Sequence, residues 1–332
     1  MADLSKQLGQ LFVIGYPGPE PPRPFMSFLA TERIGGVILF EENCPVHSVA
    51  RDAIHRIREA CGGRSPFVAI DQEGGRVSRL RGAPAEFRAA AEYGRERSVE
   101  RFAEEYRRSV VFMESLGINL NLAPVCDLFL DPNNACLAGR CFGRTPQEVV
   151  PFVETAVLTA RGAGLLSCLK HFPGLGATAA DPHRKTPVIA WDEVVWEQRE
   201  RLPFAAGVAA GADMVMTTHV RLRGADETIA TGSSRVVEDL LRKRLGFDGP
   251  VITDDLLMAG AAELGEAGER ATAAFNAGHD LLLFGRDYEA AMGAYERFVD
   301  AYRRGEIANE RVHSALGRVA GVKFKLDTWV QP

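Results

Sequence analysis

Asp181 and His183 stand two residues apart in a Gly/Pro-rich segment that begins Lys170-His171-Phe172-Pro173-Gly174. A carboxylate beside an imidazole is an acid/base unit. The carboxylate fixes the ring tautomer and stabilises the imidazolium, which can give its proton to a leaving oxygen. Pro182 between them restricts the backbone and removes one amide donor. A second such stretch is Pro250-Val251-Ile252-Thr253-Asp254-Asp255, an apolar run ending in two carboxylates. Charge at the end of a buried strand costs free energy unless it is paired or used. Asp71, Asp127, Lys170, His171 and His219 close further apolar runs, and Arg140 follows one of them in Gly139-Arg140-Cys141-Phe142-Gly143. Singly, each reads equally well as a salt bridge, and His183 as a solvated loop histidine. Their recurrence at several strand ends points to an enzyme that works with one Asp and one His.

The elements that must position these groups are eight apolar runs, at 11–16, 36–40, 66–71, 119–127, 165–171, 213–219, 250–254 and 280–284. None alternates strictly, as expected for parallel strands buried on both faces. Helical patterns lie between them at 48–60, 98–115, 146–161 and 234–245. Thr145-Pro146-Gln147-Glu148 has the cap, the first-turn proline and the acid of a helix start. Eight such units predict an α/β fold, a TIM-like (β/α)8 barrel, as a single domain over 1–332. In that fold the strand ends carrying the polar residues surround the active site.

With 46% hydrophobic and 25% charged residues and a net charge of -5, the chain has no basic footprint for nucleic acid and no membrane-surface run. The run 11–16 is too short for a signal peptide or a membrane span. Six cysteines, at 44, 61, 126, 136, 141 and 168, show no disulfide spacing, and Cys126 and Cys168 fall in expected strands. The expectation is a cytoplasmic protein, a monomer or weak dimer. Neither Gly74-Gly75 nor the glycines at 174 and 176 complete a dinucleotide fingerprint, and no phosphate loop is present.

The ordered motifs Asp71-Gln72-Glu73-Gly74-Gly75-Arg76-Val77, Asn121-Leu122-Ala123-Pro124-Val125-Cys126-Asp127, Gly139-Arg140-Cys141-Phe142-Gly143, Lys170-His171-Phe172-Pro173-Gly174, Asp181-Pro182-His183 and Thr253-Asp254-Asp255-Leu256 span nearly the whole chain. In these the chain resembles the family 3 glycoside hydrolases, specifically the single-domain bacterial β-N-acetylglucosaminidases. The resemblance implies a TIM-like barrel that removes terminal β-linked N-acetylglucosamine with retention, from cell-wall muropeptide or chitooligosaccharide fragments. It implies Asp254 as nucleophile, and His183 as general acid/base oriented by Asp181. Asp71, Arg140, Lys170 and His171 are implied to hold the hydroxyls of the terminal sugar. It implies a small carbohydrate as partner and no cofactor.

Two departures from the family pattern bear on the loop. Leu175 and Ala177 stand where polar side chains are usual, and Pro182 replaces a serine between the acid and the imidazole. They motivate a rival reading, a sugar-binding protein without turnover. A β-glucosidase and a β-N-acetylglucosaminide phosphorylase are rivals within the family. A TIM-barrel metallohydrolase is a third, because His171, Asp181, His183, His219 and Asp254 are metal-binding types. The His-x-His of such enzymes is absent from the first strand, and Lys170 would repel a cation, so no metal is expected. Asp255 is expected to be structural, and His219, unlike His279, to lie near the site. Trp191 and Trp196 are expected in aromatic packing.

Overall fold

The strands β1 (Phe12–Gly15), β2 (Gly36–Leu39), β3 (Phe67–Ile70), β4 (Leu120–Asn121), β5 (Leu166–Phe172), β6 (Val188–Ala190), β7 (Met214–Thr217), β8 (Arg221–Arg223), β9 (Val251–Ile252) and β10 (Leu282–Phe284) are joined mostly by helices, in a computed structural model that describes residues 4–329. Eight of them form one sheet in the order β10-β1-β2-β3-β4-β5-β7-β9. Every neighbouring pair in it is parallel. A parallel bridge between Ile252 and Leu281 brings the last strand back to the first, closing the barrel. All residues of these eight strands are buried. That double-sided burial explains why the runs are apolar without alternation. Each fully buried Val, Leu, Ile or Phe in them contributes about 1.5–3 kcal/mol.

Helices His47–Ala60, Val99–Ser115 and Pro146–Gly162 follow the sequence expectation. Glu148 accepts the backbone N–H of Arg144 and Thr145 at 2.7 and 3.1 Å, so the start at Thr145 is held by a side chain as its composition predicts. The segment Arg235–Arg244 is wound as a π-helix instead of the expected α-helix.

The expected strand at 119–127 is shorter than its apolar run. Pro124 has no N–H to give a ladder, and only Leu120–Asn121 pair regularly. The path stays extended between β3 and β5 through Leu122 N–H to the Ile70 carbonyl at 2.8 Å and Cys126 N–H to the Lys170 carbonyl at 2.6 Å. The small parallel pair β6–β8 was not expected; it joins the loops after β5 and β7.

Because all barrel strands run one way, Asp71, Lys170, His171 and Asp254 fall at the same end. Asp213 and Asp280 fall at the other. There Asp280 accepts Arg242, Arg311 and Arg318 at 2.6, 3.1 and 3.3 Å, and Asp213 accepts Lys325 at 2.9 Å. Those acids are paired within the frame.

Candidate active site

A cleft of about 730 Å³ opens at the carboxyl ends of the strands, and Asp71, Arg140, Lys170, His171, Asp181, His183 and Asp254 all line it. Its floor is a chain of charge. Lys170 Nζ lies 2.7 Å from Asp71 and 2.5 Å from Glu73. Arg140 holds both oxygens of Glu73, at 2.7 and 2.8 Å, and its Nη2 is 3.2 Å from His171 Nε2. His171 Nδ1 is 2.6 Å from Asp127. An ionised carboxylate only accepts, so Nδ1 carries the proton and Nε2 accepts from Arg140. Burial alone would lower the Lys170 ammonium and raise the two carboxyls. Mutual attraction outweighs it. Lys170 is held above its ordinary value by Asp71 and Glu73. Asp71 is held below its own by Lys170 and Arg79, and Glu73 by Arg140 and Lys170. Lys170, Asp71, Glu73 and Arg140 are thus ionised before any ligand arrives, presenting fixed donors and acceptors to hydroxyl groups.

Lys170 and His171 are consecutive, and residues in a regular strand face opposite ways. The register of β5 against β7 shifts between Leu169 and Phe172, and both side chains reach the cleft.

The loop after β5 carries the acid/base candidates. His183 Nδ1 is 2.8 Å from Asp181 Oδ1, which also accepts the His183 backbone N–H at 2.9 Å. The sulfur of Cys136 first, then Asp181 and the charge of Asp254, push the His183 imidazole up to about 9, against burial. The ring is an imidazolium near neutral pH, the form able to donate a proton. Its side chain is well exposed at 62%, open to a leaving group or to water.

The departures in this loop do not leave it loose. Leu175 is buried against Val125, Leu137 and Cys141. Its N–H donates to Asp127 at 2.6 Å, and its carbonyl accepts from Asn134 at 3.0 Å. A side chain at Gly176 would place its Cβ 1.7 Å from the Leu128 carbonyl, so only glycine fits there. On the other side, the Pro182 carbonyl accepts the Gly260 N–H at 2.8 Å. Trp196 packs edge-on to Phe172 and donates to the Pro173 carbonyl at 2.9 Å, fixing the loop's start.

Asp254 follows β9 with its N–H bonded to the Thr217 carbonyl, and its Oδ1 accepts the Asp255 N–H at 2.8 Å. Asp255 also lines the cleft but is committed to the frame: its Oδ1 accepts the N–H of Leu257 and Gly285, and burial raises its carboxyl. Buried His219 sits under this pair. Burial lowers its imidazole, and as a neutral ring it donates from Nε2 to the Asp255 carbonyl at 2.9 Å and accepts from Thr231 at Nδ1. His279 is outside the cleft, against Thr217 and the Ala274 carbonyl.

The metallohydrolase set does not assemble. His171 and His219 are committed to the partners just named, and Lys170 and Arg140 occupy the floor. Among the described residues, the one grouping of three metal-ligating types is Cys136, Asp181 and His183. Asp127 falls at a strand end and Glu73 inside a motif, yet the sequence alone assigns neither a place in the floor. The signal for Glu73 was its i, i+2 spacing from Asp71. Cys136 had no signal beyond being one of six unpatterned cysteines.

Residues 3–322 match the family model for the glycosyl hydrolase family 3 N terminal domain. A beta-hexosaminidase of Stenotrophomonas maltophilia is 33% identical over 286 residues, covering 82% of this chain and 82% of that one. A solved family 3 β-N-acetylglucosaminidase of Paenibacillus sp. FPU-7 superposes with a TM-score of 0.95 at 30% identity over 100% of this chain, which spans 64% of that longer one. A β-N-acetylhexosaminidase of Beutenbergia cavernae superposes with a TM-score of 0.88 at 29% identity, covering 97% and 99% of the two chains.

Proposed function

Taking as premise that the chain belongs to glycosyl hydrolase family 3, we propose that it is a retaining β-N-acetylglucosaminidase acting on small oligosaccharides such as muropeptide or chitooligosaccharide fragments. The observation that carries this reading is the meeting of three parts in one cleft: an ionised hydrogen-bonding floor, an imidazolium on the loop after β5, and Asp254 after β9.

Asp71, Lys170, Arg140 and His171 hold the hydroxyls of the terminal sugar. Asp254 attacks the anomeric carbon as the His183 imidazolium gives its proton to the glycosidic oxygen, and a glycosyl-enzyme ester forms. The neutral imidazole then takes a proton from water, which attacks the ester, releasing the sugar with its β configuration and freeing Asp254. Asp181 keeps the ring oriented through both steps. The two displacements return every group to its starting state.

The 2-acetamido preference is supported by the named relatives. All six cysteines are free, which supports a reducing compartment, and we place the protein in the cytoplasm. The test is hydrolysis of aryl β-N-acetylglucosaminide beside aryl β-glucoside, with chelator present and Asp254→Asn as control. Selective cleavage, resistant to chelator and absent in the variant, is expected. Cleavage of the glucoside alone would overturn the sugar assignment, and a sugar phosphate formed in phosphate buffer would make the enzyme a phosphorylase.

A further inference from the structure

We propose that Cys136 is a positioning residue for the acid/base pair, its side chain joining His183 and Asp181 on one loop to Arg140 on another. The inference rests on the role given to His183 above.

The Cys136 sulfur, an Asp181 carboxylate oxygen and a His183 ring nitrogen all lie within 4.8 Å of one another. The same sulfur is 3.6 Å from Arg140 Nη1, which also donates to the Cys136 carbonyl at 3.2 Å. Arg76 donates to that carbonyl too, and to the Ala135 carbonyl at 2.8 Å. Two guanidinium groups therefore pin the backbone at 136. With the backbone fixed, the one rotor of the cysteine side chain sets where the sulfur stands.

This matters because the loop carrying His183 has Leu175 and Ala177 where it would otherwise place polar atoms. Its support on that side comes from the 131–140 segment: Asn134 on the Leu175 carbonyl, and Asp131 N–H on the Gly176 carbonyl at 3.0 Å. Cys136 is the member of that segment that reaches the pair itself.

The groups acting on the His183 ring are Cys136 from this segment, Asp181 on its own loop and Asp254 after β9, and the cleft they share is also lined by Arg76, Arg140 and Arg184. Cys136, Asp181 and Asp254 together hold His183 protonated. A polarisable sulfur can accept weakly from an N–H, and here it stands within 4.8 Å of the ring nitrogen and of a carboxylate already committed to that ring.

The experiment compares Cys136→Val and Cys136→Ser with wild type and with His183→Ala, on aryl β-N-acetylglucosaminides with good and poor leaving groups. Cys136→Val is expected to lose about tenfold in kcat/KM on the poor leaving group, and less than about twofold on the good one, with its alkaline limb moved to lower pH. Cys136→Ser, which keeps a hydrogen-bonding atom, is expected to restore most of both. An equal loss on all substrates, or an unmoved pH profile in Cys136→Val, overturns the inference, as does a serine variant no better than valine. If His183→Ala shows no leaving-group dependence, the role of His183 itself fails and the inference falls with it. If that control behaves and Cys136→Val does not, only the inference falls.

Discussion

The Glu73 carboxylate meets the Arg140 guanidinium edge to edge, Oε2 on Nε at 2.7 Å and Oε1 on Nη2 at 2.8 Å. Neither side chain is on a barrel strand, so this pair ties the loop after β3 to the loop after β4. Its second service is to Lys170, which shares Oε1.

Glu73→Gln is therefore expected to destabilise the protein by about 3–5 kcal/mol, the loss typical when one partner of a buried pair is removed. Two cations would be left with less than their full set of acceptors. Urea unfolding measures this, with a rise in KM expected alongside. An unchanged midpoint would mean the floor is held by something else.

Asp254→Asn is expected to lower kcat by a factor of about 1000 or more while leaving the thermal midpoint near wild type. The carboxylate makes one short contact to its neighbour's N–H, which an amide oxygen can still accept. Near-wild-type turnover would remove Asp254 from the nucleophile's place.

The pH dependence follows from His183. Its imidazolium persists up to about 9, so kcat/KM on a poor leaving group should fall through that pH, and much less on a good one. For folding, the same shift stabilises fully below the unfolded value of 6.5, and that gain disappears as pH rises through about 9. Asp71 and Glu73 act in the opposite sense. Their depressed values stabilise above the unfolded 3.8 and 4.5, and the gain is lost as pH falls below them. A pH-rate profile paired with pH-dependent melting separates these effects. An alkaline limb near 6.5 would show that His183 is not held as described.

Gly176→Ala is expected to cut kcat by about tenfold or more through a displaced acid/base loop, because its Cβ would collide with the Leu128 carbonyl. Sugar binding at the floor should change little, since Asp71 and Lys170 sit on other elements. Steady-state kinetics with a competitive sugar inhibitor reads both. A change in inhibitor affinity as large as that in kcat would contradict the separation.

The barrel was legible because its strands are buried on both faces, and eight apolar runs without alternation leave few other arrangements. The strand ends at Asp71, Lys170 and Asp254 followed from those runs. What was not legible depends on approach across loops. The meeting of Glu73 with Arg140 spans 67 positions, and nothing in either motif states it. The shortened β4 turns on one missing N–H, at Pro124. The loop departures at Leu175 and Ala177 read in sequence as lost polar contacts. In the structure Leu175 is bonded through its backbone and buried by its side chain, and composition does not record such backbone partners.

Two seams join the loops around the mouth of the cleft: Pro182 to Gly260, and β6 to β8, whose pairing begins with the Pro187 carbonyl on Arg221 N–H at 2.9 Å. The arms after β5, β7 and β9 are thereby stitched into one piece of fabric. Lifting any one of them tears hydrogen bonds in the others, so the rim yields cooperatively and rarely instead of fluttering arm by arm. His183 and Asp254, the proposed proton donor and nucleophile, stand on two of those arms, so the seams that hold the rim together also hold their spacing.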